Sequence, residues 1–511
     1  MMYKIVQKYF VEVKYLFSRA FFTIKHTEAD TTIVKPFTKI PGPKGLPLLG
    51  TLHKYLPIIG EYDNERLHIS GNKKFASYGP LVKETILGQT IVWVFRPEDI
   101  AEIFKSEYGK IPARRSHLAL YKYRTDRKSI YKTGGLLPTN GEEWLRIRKE
   151  FQKSLSKPQE VLMYLNGTNS VMDQFLKLSK KKDHEDLFPL LSRLYLELIC
   201  MVAFDEKMDS FSEEEMRDDS KSSKLIDSAL VTNSASLRLD GMFRLWRFFD
   251  TPLYKKLCRA QEFMESIAVD MVHKKKKKLS NLSSDHKLSL LETYLMNPAL
   301  DEKDVVGMAC DMLLAGVDTT TNSTAFALYH LATNPKAQEK LHQEASTLLP
   351  NKNDPVTAEG LKNANYVKAV LKETFRLNPI SIGIGRILQT DVILSGFKVP
   401  KGTNVVTQNQ VISRFSEYFN DPDSFIPERW LKKEHSKHAS KEKSIHPYAV
   451  LPFGHGPRSC IARRLAEQNM QVFLLRICRD FKFSWRGGKL GCQSLLINKP
   501  DAPINLKLDE R

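Results

Sequence analysis

Apolar positions recur along this chain at two spacings. Between Leu81 and Phe95 they alternate, which predicts two strands turning at Leu87-Gly88-Gln89, and Pro97 then fits the first turn of a helix. Elsewhere the helical period prevails. From Asp301 to Asn334 the pattern predicts one long helix, capped by Asp301 or Asp304 and stopped by Pro335. At about 1.5 Å per residue it would cross a whole domain. Tyr366 to Asn378 predicts a second helix, ending before Pro379, and a third opens after Cys460 with apolar positions through Leu465, Val472 and Leu475. Thr139-Asn140-Gly141-Glu142 reads as a capping box opening a helix that carries Trp144 and Arg148 on one face.

Other stretches say less. Val161 to Met296 is helix-rich, and the run Lys274 to Lys278 within it reads as a solvated loop or helix end, with a membrane-surface contact as the sharper alternative. Ser106 to Leu137 reads as a polar, irregular loop. Ser395 to Gly402 predicts a strand pair with a Pro-Lys-Gly turn. Asn420 to Trp430 reads as loop, and Phe481 to Leu508 as short β segments with Leu495 and Leu496 near a tip. No internal repeat occurs. One organising boundary does, the stiff Ile40-Pro41-Gly42-Pro43-Lys44-Gly45-Leu46-Pro47 connector, where the folded body is expected to begin.

Composition narrows the class. A chain of 511 residues with 42% hydrophobic content has ample core for a large globular fold. Its six cysteines are scattered without C-x-x-C pairing, which is neither a zinc pattern nor a disulfide framework and points to a reducing compartment. The net charge of +19 comes with no nucleic-acid motif, so an acidic protein partner or an import route for basic chains accounts for it better. Met1 to Lys25 holds five basic residues against Glu12 alone, interspersed with Ile5, Phe10, Val13, Leu16 and Phe21. It lacks the roughly 18 consecutive apolar residues of a membrane span and reads as a mitochondrial transit peptide.

Two stretches carry candidate chemistry. Cys460 sits where a Gly-rich turn, Gly454 to Pro457, gives way to a helix. Unpaired N–H groups, the helix dipole and Arg458 are expected to favour its thiolate, a soft ligand for iron. Inside the long helix, Ala315-Gly316-Val317-Asp318-Thr319-Thr320-Thr321 sets glycine, a carboxylate and three hydroxyls in an apolar context. Glycine there would let a ligand approach the backbone, with Thr319 and Asp318 placed to bond and relay protons.

Phe453-x-x-Gly456-x-Arg458-x-Cys460 resembles the haem-binding loop of the cytochrome P450 family, with Ala462 where the family usually has glycine. The other motifs follow in the family's order: the proline hinge, W-x-x-x-R at Trp144 and Arg148, A-G-x-D-T at Ala315 to Thr319, and E-x-x-R at Glu373 and Arg376. The resemblance covers essentially everything after Pro41. It implies a mainly α fold, a helical prism with a smaller β-rich lobe, over residues 36–511 behind a leader of 1–35. It implies haem b ligated by Cys460 and contacted by Phe453 and Arg458, with Trp144, Arg148 and Arg386 at its propionates. It also implies proton delivery by Asp318 and Thr319, a structural triad of Glu373, Arg376 and Arg429, and a substrate-covering loop after Ser106.

Lys368 and Lys372, one helical turn apart, resemble the pattern by which the mitochondrial class binds an acidic [2Fe–2S] ferredoxin; Arg463-Arg464 resembles that class too. Electrons would come from NADPH through a ferredoxin reductase, at the matrix side of the inner membrane, where the protein would be peripheral. The stretches Arg114 to Leu120 and Gly134 to Gly141 resemble those of insect ecdysteroid 22-hydroxylation, implying a hydrophobic deoxyecdysteroid as substrate. An insect mitochondrial member acting on xenobiotics, or a haem-thiolate ligand-binding protein without turnover, are the other readings.

Overall fold

A computed structural model describes residues 33–58, 60–180, 183–241, 243–279, 286–432 and 444–511. Most of the expected leader, residues 1–32, lies outside the described residues. Elements used below are numbered in chain order. The helices are α1 (Leu67–Tyr78), α2 (Pro97–Lys105), α3 (Leu118–Thr125), α4 (Gly141–Leu155), α5 (Phe188–Ala203), α6 (Lys221–Gly241), α7 (Pro252–Leu279), α8 (Glu302–Thr333), α9 (Tyr366–Leu377) and α10 (Arg463–Asp480). The strands are β1 (Leu81–Ile86), β2 (Gln89–Val94), β3 (Gly385–Ile387), β4 (Val392–Leu394), β5 (Phe397–Val399), β6 (Asn404–Thr407), β7 (Phe481–Trp485), β8 (Cys492–Leu495), β9 (Ile497–Pro500) and β10 (Leu506–Glu510).

Helix α8 is the axis. Its start is fixed locally: Asp301 Oδ1 accepts from the Lys303 N–H, and Asp304 Oδ2 accepts from the Asp301 N–H, a capping box at the expected place. It is buried along nearly its whole length and packs against α5, α6, α7 and α9. Its two halves serve different cores. Val305, Met308, Leu313 and Leu314 join α4, α5 and α7, while Phe326, Leu328 and Leu331 join α9 and α10. The polar stretch from Asp318 to Thr324 falls at the junction between them.

The β-rich lobe centres on a four-stranded sheet in the order β1-β2-β6-β3. β1 and β2 form the expected hairpin, with Leu81 opposite Val94; Leu87 and Gly88 both take positive φ, which suits a two-residue turn. β6 runs parallel to β2 and antiparallel to β3. Small hairpins β4–β5 and β8–β9 flank this sheet.

The Glu373 carboxylate closes the fold under α9. Arg376 donates to both its oxygens at 2.9 and 2.7 Å, Arg429 Nε at 3.0 Å and Trp430 Nε1 at 2.8 Å. All three charged side chains are fully buried, so the triad is structural.

Three local expectations change. The stretch Ser106 to Leu137 contains helix α3, entered through His117 in the left-handed region and capped by Asp240 of α6, whose Oδ1 accepts from the Leu118 N–H. Helix α4 begins at Gly141, but the capping box from Thr139 does not form: no side chain caps the helix, Thr139 Oγ1 is buried without a partner among the described residues, and the Oδ1 of Asn140, just before the helix, accepts from the Arg114 N–H and Arg458 Nη2. The strand pair turns at Ser395-Gly396, both at positive φ, and the Pro-Lys-Gly turn leads into β6. The lysine run forms the last turn of α7, where cations oppose the negative end of the dipole and pair with Asp270, Asp205, Glu302 and Glu206.

Candidate active site

The loop before α10 is shaped by Gly454 and Gly456, both at positive φ, and by the Cys460 N–H donating to the Phe453 carbonyl at 2.8 Å. Cys460 lies three residues ahead of the first residue of α10. Its sulfur is exposed to an internal cavity but sits deep within the protein body. Burial pushes the thiol up from its ordinary range, against the Ala462 N–H and the fields of Arg148 and Arg463. The helix terminus thus softens desolvation without overcoming it, contrary to expectation. A metal ion on the sulfur would deprotonate it outright. Phe453 stands behind the loop, edge-on to Phe375 and under the Arg463 guanidinium, and does not line the cavity.

The cavity has a volume of about 1030 Å³, including its mouth. Cys460 and Ile461 form one wall, and Ala315, Gly316 and Thr319 of α8 another, while Trp144 and Arg148 of α4 also line it. Thr319 Oγ1 donates to the Ala315 carbonyl at 2.7 Å, so the hydroxyl keeps acceptor capacity. Asp318 points elsewhere. It is buried off the cavity wall and its Oδ2 accepts from Asn233 of α6 at 2.7 Å. Burial pushes its carboxyl up to about 6, opposed by the Asn233 bond. Glycine at 316 has a packing reason as well: a Cβ there would lie 2.5 Å from Ile199 Cγ1 of α5.

Four guanidiniums gather beside this cavity. Arg458 donates to the carbonyls of Pro112 and Thr139 and to Asn140 Oδ1, each at 2.7 Å; it stacks 4.1 Å over the Trp144 ring, and its Nη1 is buried without a partner. Burial, then repulsion from Arg114, Arg386 and Arg148, pushes it down to about 9. Arg114 donates to the Leu137 carbonyl and is pushed down to about 10, by burial and then by Arg386. Arg148 donates to Gln152 Oε1, and burial lowers it. Arg386, on β3 and outside the cavity wall, has Nε 2.7 Å from Glu107 Oε1. Burial raises Glu107 despite that cation.

Asp311 also lines the cavity but is paired with Arg124 at 2.7 Å, which leaves Glu107 against these four guanidiniums, an arrangement that calls for an anion of more than one charge. Among the described residues no cluster of histidine, cysteine and carboxylates could hold a metal ion, so iron at Cys460 would need its other ligands from a prosthetic group. A flat apolar ring bearing two carboxylates meets both requirements. Haem fits these residues.

Sequence reasoning placed Cys460, Thr319, Trp144, Arg148 and Arg458 at one cavity, and the structure brings them together there. Asp318, Arg386 and Phe453 stand behind its walls. Arg114, Glu107 and Asn233 were not singled out as site residues; the doubled arginine at 114 and 115 in an irregular segment was the one local sign.

A cysteine and an alcohol on a central helix lining one cavity ringed by arginines fit a haem-thiolate monooxygenase, and the chain belongs to the cytochrome P450 family, whose description matches residues 40–500. It is 47% identical over 492 residues, covering 95% of this chain and 98% of the relative, to Cytochrome P450 302a1, mitochondrial, of Drosophila melanogaster. It is 30% identical over 498 residues to Probable cytochrome P450 301a1, mitochondrial, of the same fly, covering 94% and 89% of the two chains. Cytochrome P450 10 of Lymnaea stagnalis is 30% identical over 494 residues, covering 94% and 87%. The protein is accordingly a monooxygenase, an oxidoreductase.

Proposed function

We propose that this monooxygenase hydroxylates C22 of a deoxyecdysteroid precursor in the mitochondrion, drawing electrons from NADPH through a ferredoxin reductase and a [2Fe–2S] ferredoxin. The observation carrying the haem chemistry is Cys460 facing Thr319 across a cavity rimmed by arginines. The substrate reading is supported by the stretches that carry the ecdysteroid resemblance, since Arg114, Leu136 and Leu137 from them line the cavity.

Haem, when bound, supplies activation of dioxygen and insertion of one oxygen atom into a C–H bond. Cys460 would hold its iron, with Phe453 backing the loop. Arg114, Arg148, Arg458 and Trp144 would take its carboxylates, with Arg386 adding field from behind. Thr319 would pass a proton through its hydroxyl, and Asp318, whose carboxyl is already pushed up to about 6, would resupply it. The apolar lining, with Leu137, Ile199 and Met312, would exclude water.

Mitochondrial placement, with residues 1–35 as a transit peptide ahead of a catalytic domain at 36–511, rests on the basic leader and on relatives bearing that designation. Lys372 is exposed, and Lys368 donates to the Lys362 carbonyl at the same surface, which suits ferredoxin docking. Among the described residues no helix is long and apolar enough to cross a membrane. Peripheral attachment is supported by exposed Leu46, Leu48, Leu56 and Ile58 in one segment and Phe243, Phe248 and Phe249 in another. Gly50 pairs with the β1–β2 hairpin, and Arg244 bonds Gln89 at its turn, so the two segments converge.

Product analysis tests the reading. Mature protein with reductase, ferredoxin and NADPH is incubated with a 22-deoxyecdysteroid, and products are identified by mass spectrometry and NMR. A C22 alcohol is expected. No product, from protein with a sound ferrous–CO spectrum, would move the substrate to xenobiotics.

A further inference from the structure

Of the guanidiniums beside the cavity, Arg386 alone stands off its wall, and each of its nitrogens already lies against an oxygen of the protein. Nη1 donates to the Gly385 carbonyl at 3.0 Å and Nη2 to the His455 carbonyl, in the cysteine loop, at 3.2 Å. Nε lies 2.7 Å from Glu107 Oε1, an ion pair whose N–H is not aligned for a hydrogen bond. The guanidinium also covers the Phe104 ring, 5.3 Å from its centre. Arg458 is the contrast: it lines the cavity and its Nη1 is buried without a partner.

The backbone sets Glu107 for this contact. Helix α2 ends at Lys105, and Glu107 sits in the turn that follows. Its N–H donates to the Phe104 carbonyl at 3.1 Å, and its own carbonyl accepts from the Lys110 N–H at 2.9 Å. The residue is 8% exposed. Burial works against its charge, while Arg386 and Arg458 favour it. The pair therefore ties the turn after α2 to the cysteine loop, and it brings a buried cation there with its charge already cancelled. The difference matters for iron. Every uncancelled positive charge nearby favours an added electron, and a free guanidinium is a strong donor to a carboxylate.

We propose that Glu107 is a positioning residue for the haem centre: it withholds Arg386 from the haem carboxylates and, by cancelling its charge, keeps the reduction potential of the iron low. This assignment rests on haem held at Cys460 and on no choice of substrate. Arg114, Arg148 and Arg458 remain to meet the two carboxylates. The step affected is the one-electron reduction of ferric to ferrous iron, with the electron supplied by the redox partner or, in the test, by a chemical mediator.

Spectroelectrochemical titration of the substrate-free holoenzyme at pH 8 is the test. Glu107→Gln should shift the ferric–ferrous equilibrium toward ferrous about tenfold, a rise of about 59 mV for one electron. Glu107→Met, uncharged and similar in length, should match it, whereas Glu107→Asp, which keeps the charge, should move the potential less than half as far. Glu107→Gln combined with Arg386→Gln removes both charges and should return the wild-type value. Transfer of haem to apomyoglobin gives a second readout: with Arg386 freed to bind a carboxylate, haem loss from Glu107→Gln should slow about tenfold. A potential unchanged or lowered in both uncharged variants, a rise that persists in the double variant, or haem lost as fast as from wild type or faster would each overturn the proposal and leave the haem assignment standing. A wild-type protein without a thiolate-type ferrous–CO band would remove the haem assignment, and this role of Glu107 with it.

Discussion

Asp318 shows how one residue's surroundings set its chemistry. A carboxylic acid is ordinarily ionised at neutral pH; held off the cavity against Asn233, this one keeps its proton up to about 6. The sign of the stability effect follows. A carboxyl raised in the folded state binds its proton more tightly there than in the unfolded chain, so its contribution is greatest below the ordinary carboxylate range and is lost as pH rises through about 6. Asp318→Asn should therefore raise the thermal midpoint above pH 6 relative to wild type, and leave little difference at pH 4. Function moves the other way. The substitution should cut product formed per NADPH, with turnover falling about a hundredfold, at the low end of what general-acid groups contribute. Wild-type coupling should decline across pH 5–7, and the variant's should be flat; an equal decline in both would remove Asp318 from proton delivery. The acid and its neighbouring alcohol were legible in the sequence because they share one motif. Asn233 was not, since 85 residues separate it from Asp318 and only the packing of α6 on α8 brings them together.

At the level of elements, what could be read was whatever local chemistry dictates. The ends of α8 follow from Asp301, Asp304 and Pro335, and the β1–β2 hairpin from Leu87-Gly88. Helix α3 escaped because it is only eight residues long, and its cap comes from Asp240 on another helix. The capping box at Thr139 fails for a related reason: the residue before the helix is Asn140, and its side chain is claimed by Arg114 and Arg458, which no local pattern reveals. Gly316 carries the same lesson. Its motif suggested room for a ligand, and it does line the cavity, but its Cβ direction is filled by Ile199 of α5. Gly316→Ala should wedge α5 from α8 and destabilise the protein by about 1–3 kcal/mol, the usual cost of overpacking. Trimming the partner should relieve it, so Gly316→Ala with Ile199→Val should recover part of that loss. A double variant no better than the sum of the single ones would mean that the glycine serves only the cavity.

At the scale of the whole molecule, the charge of +19 is unevenly used. Inside, the arginines around Glu107 await a polyanion, and the cations at the end of α7 are spent on neighbouring carboxylates. Lys372, on the outer face of α9, is exposed, and Lys368, one turn before it, donates to the Lys362 carbonyl. Helix α9 also anchors Glu373 on its inner face, so the surface lysines sit on a rigid support. Rim charges of this kind govern how often an acidic partner arrives rather than how the chemistry runs. Replacing both lysines by glutamine should thus slow ferredoxin-supported turnover about tenfold at low ionic strength and less at high salt, because screening already weakens the wild-type attraction. The ferrous–CO spectrum after chemical reduction should be unchanged, as neither side chain lines the cavity. Stopped-flow measurement of the first electron transfer against salt concentration separates the cases. A variant whose rate and salt slope match wild type would place the ferredoxin on another face, and Arg463 with Arg464, at the start of α10 and beside the cysteine loop, would be the next pair to change.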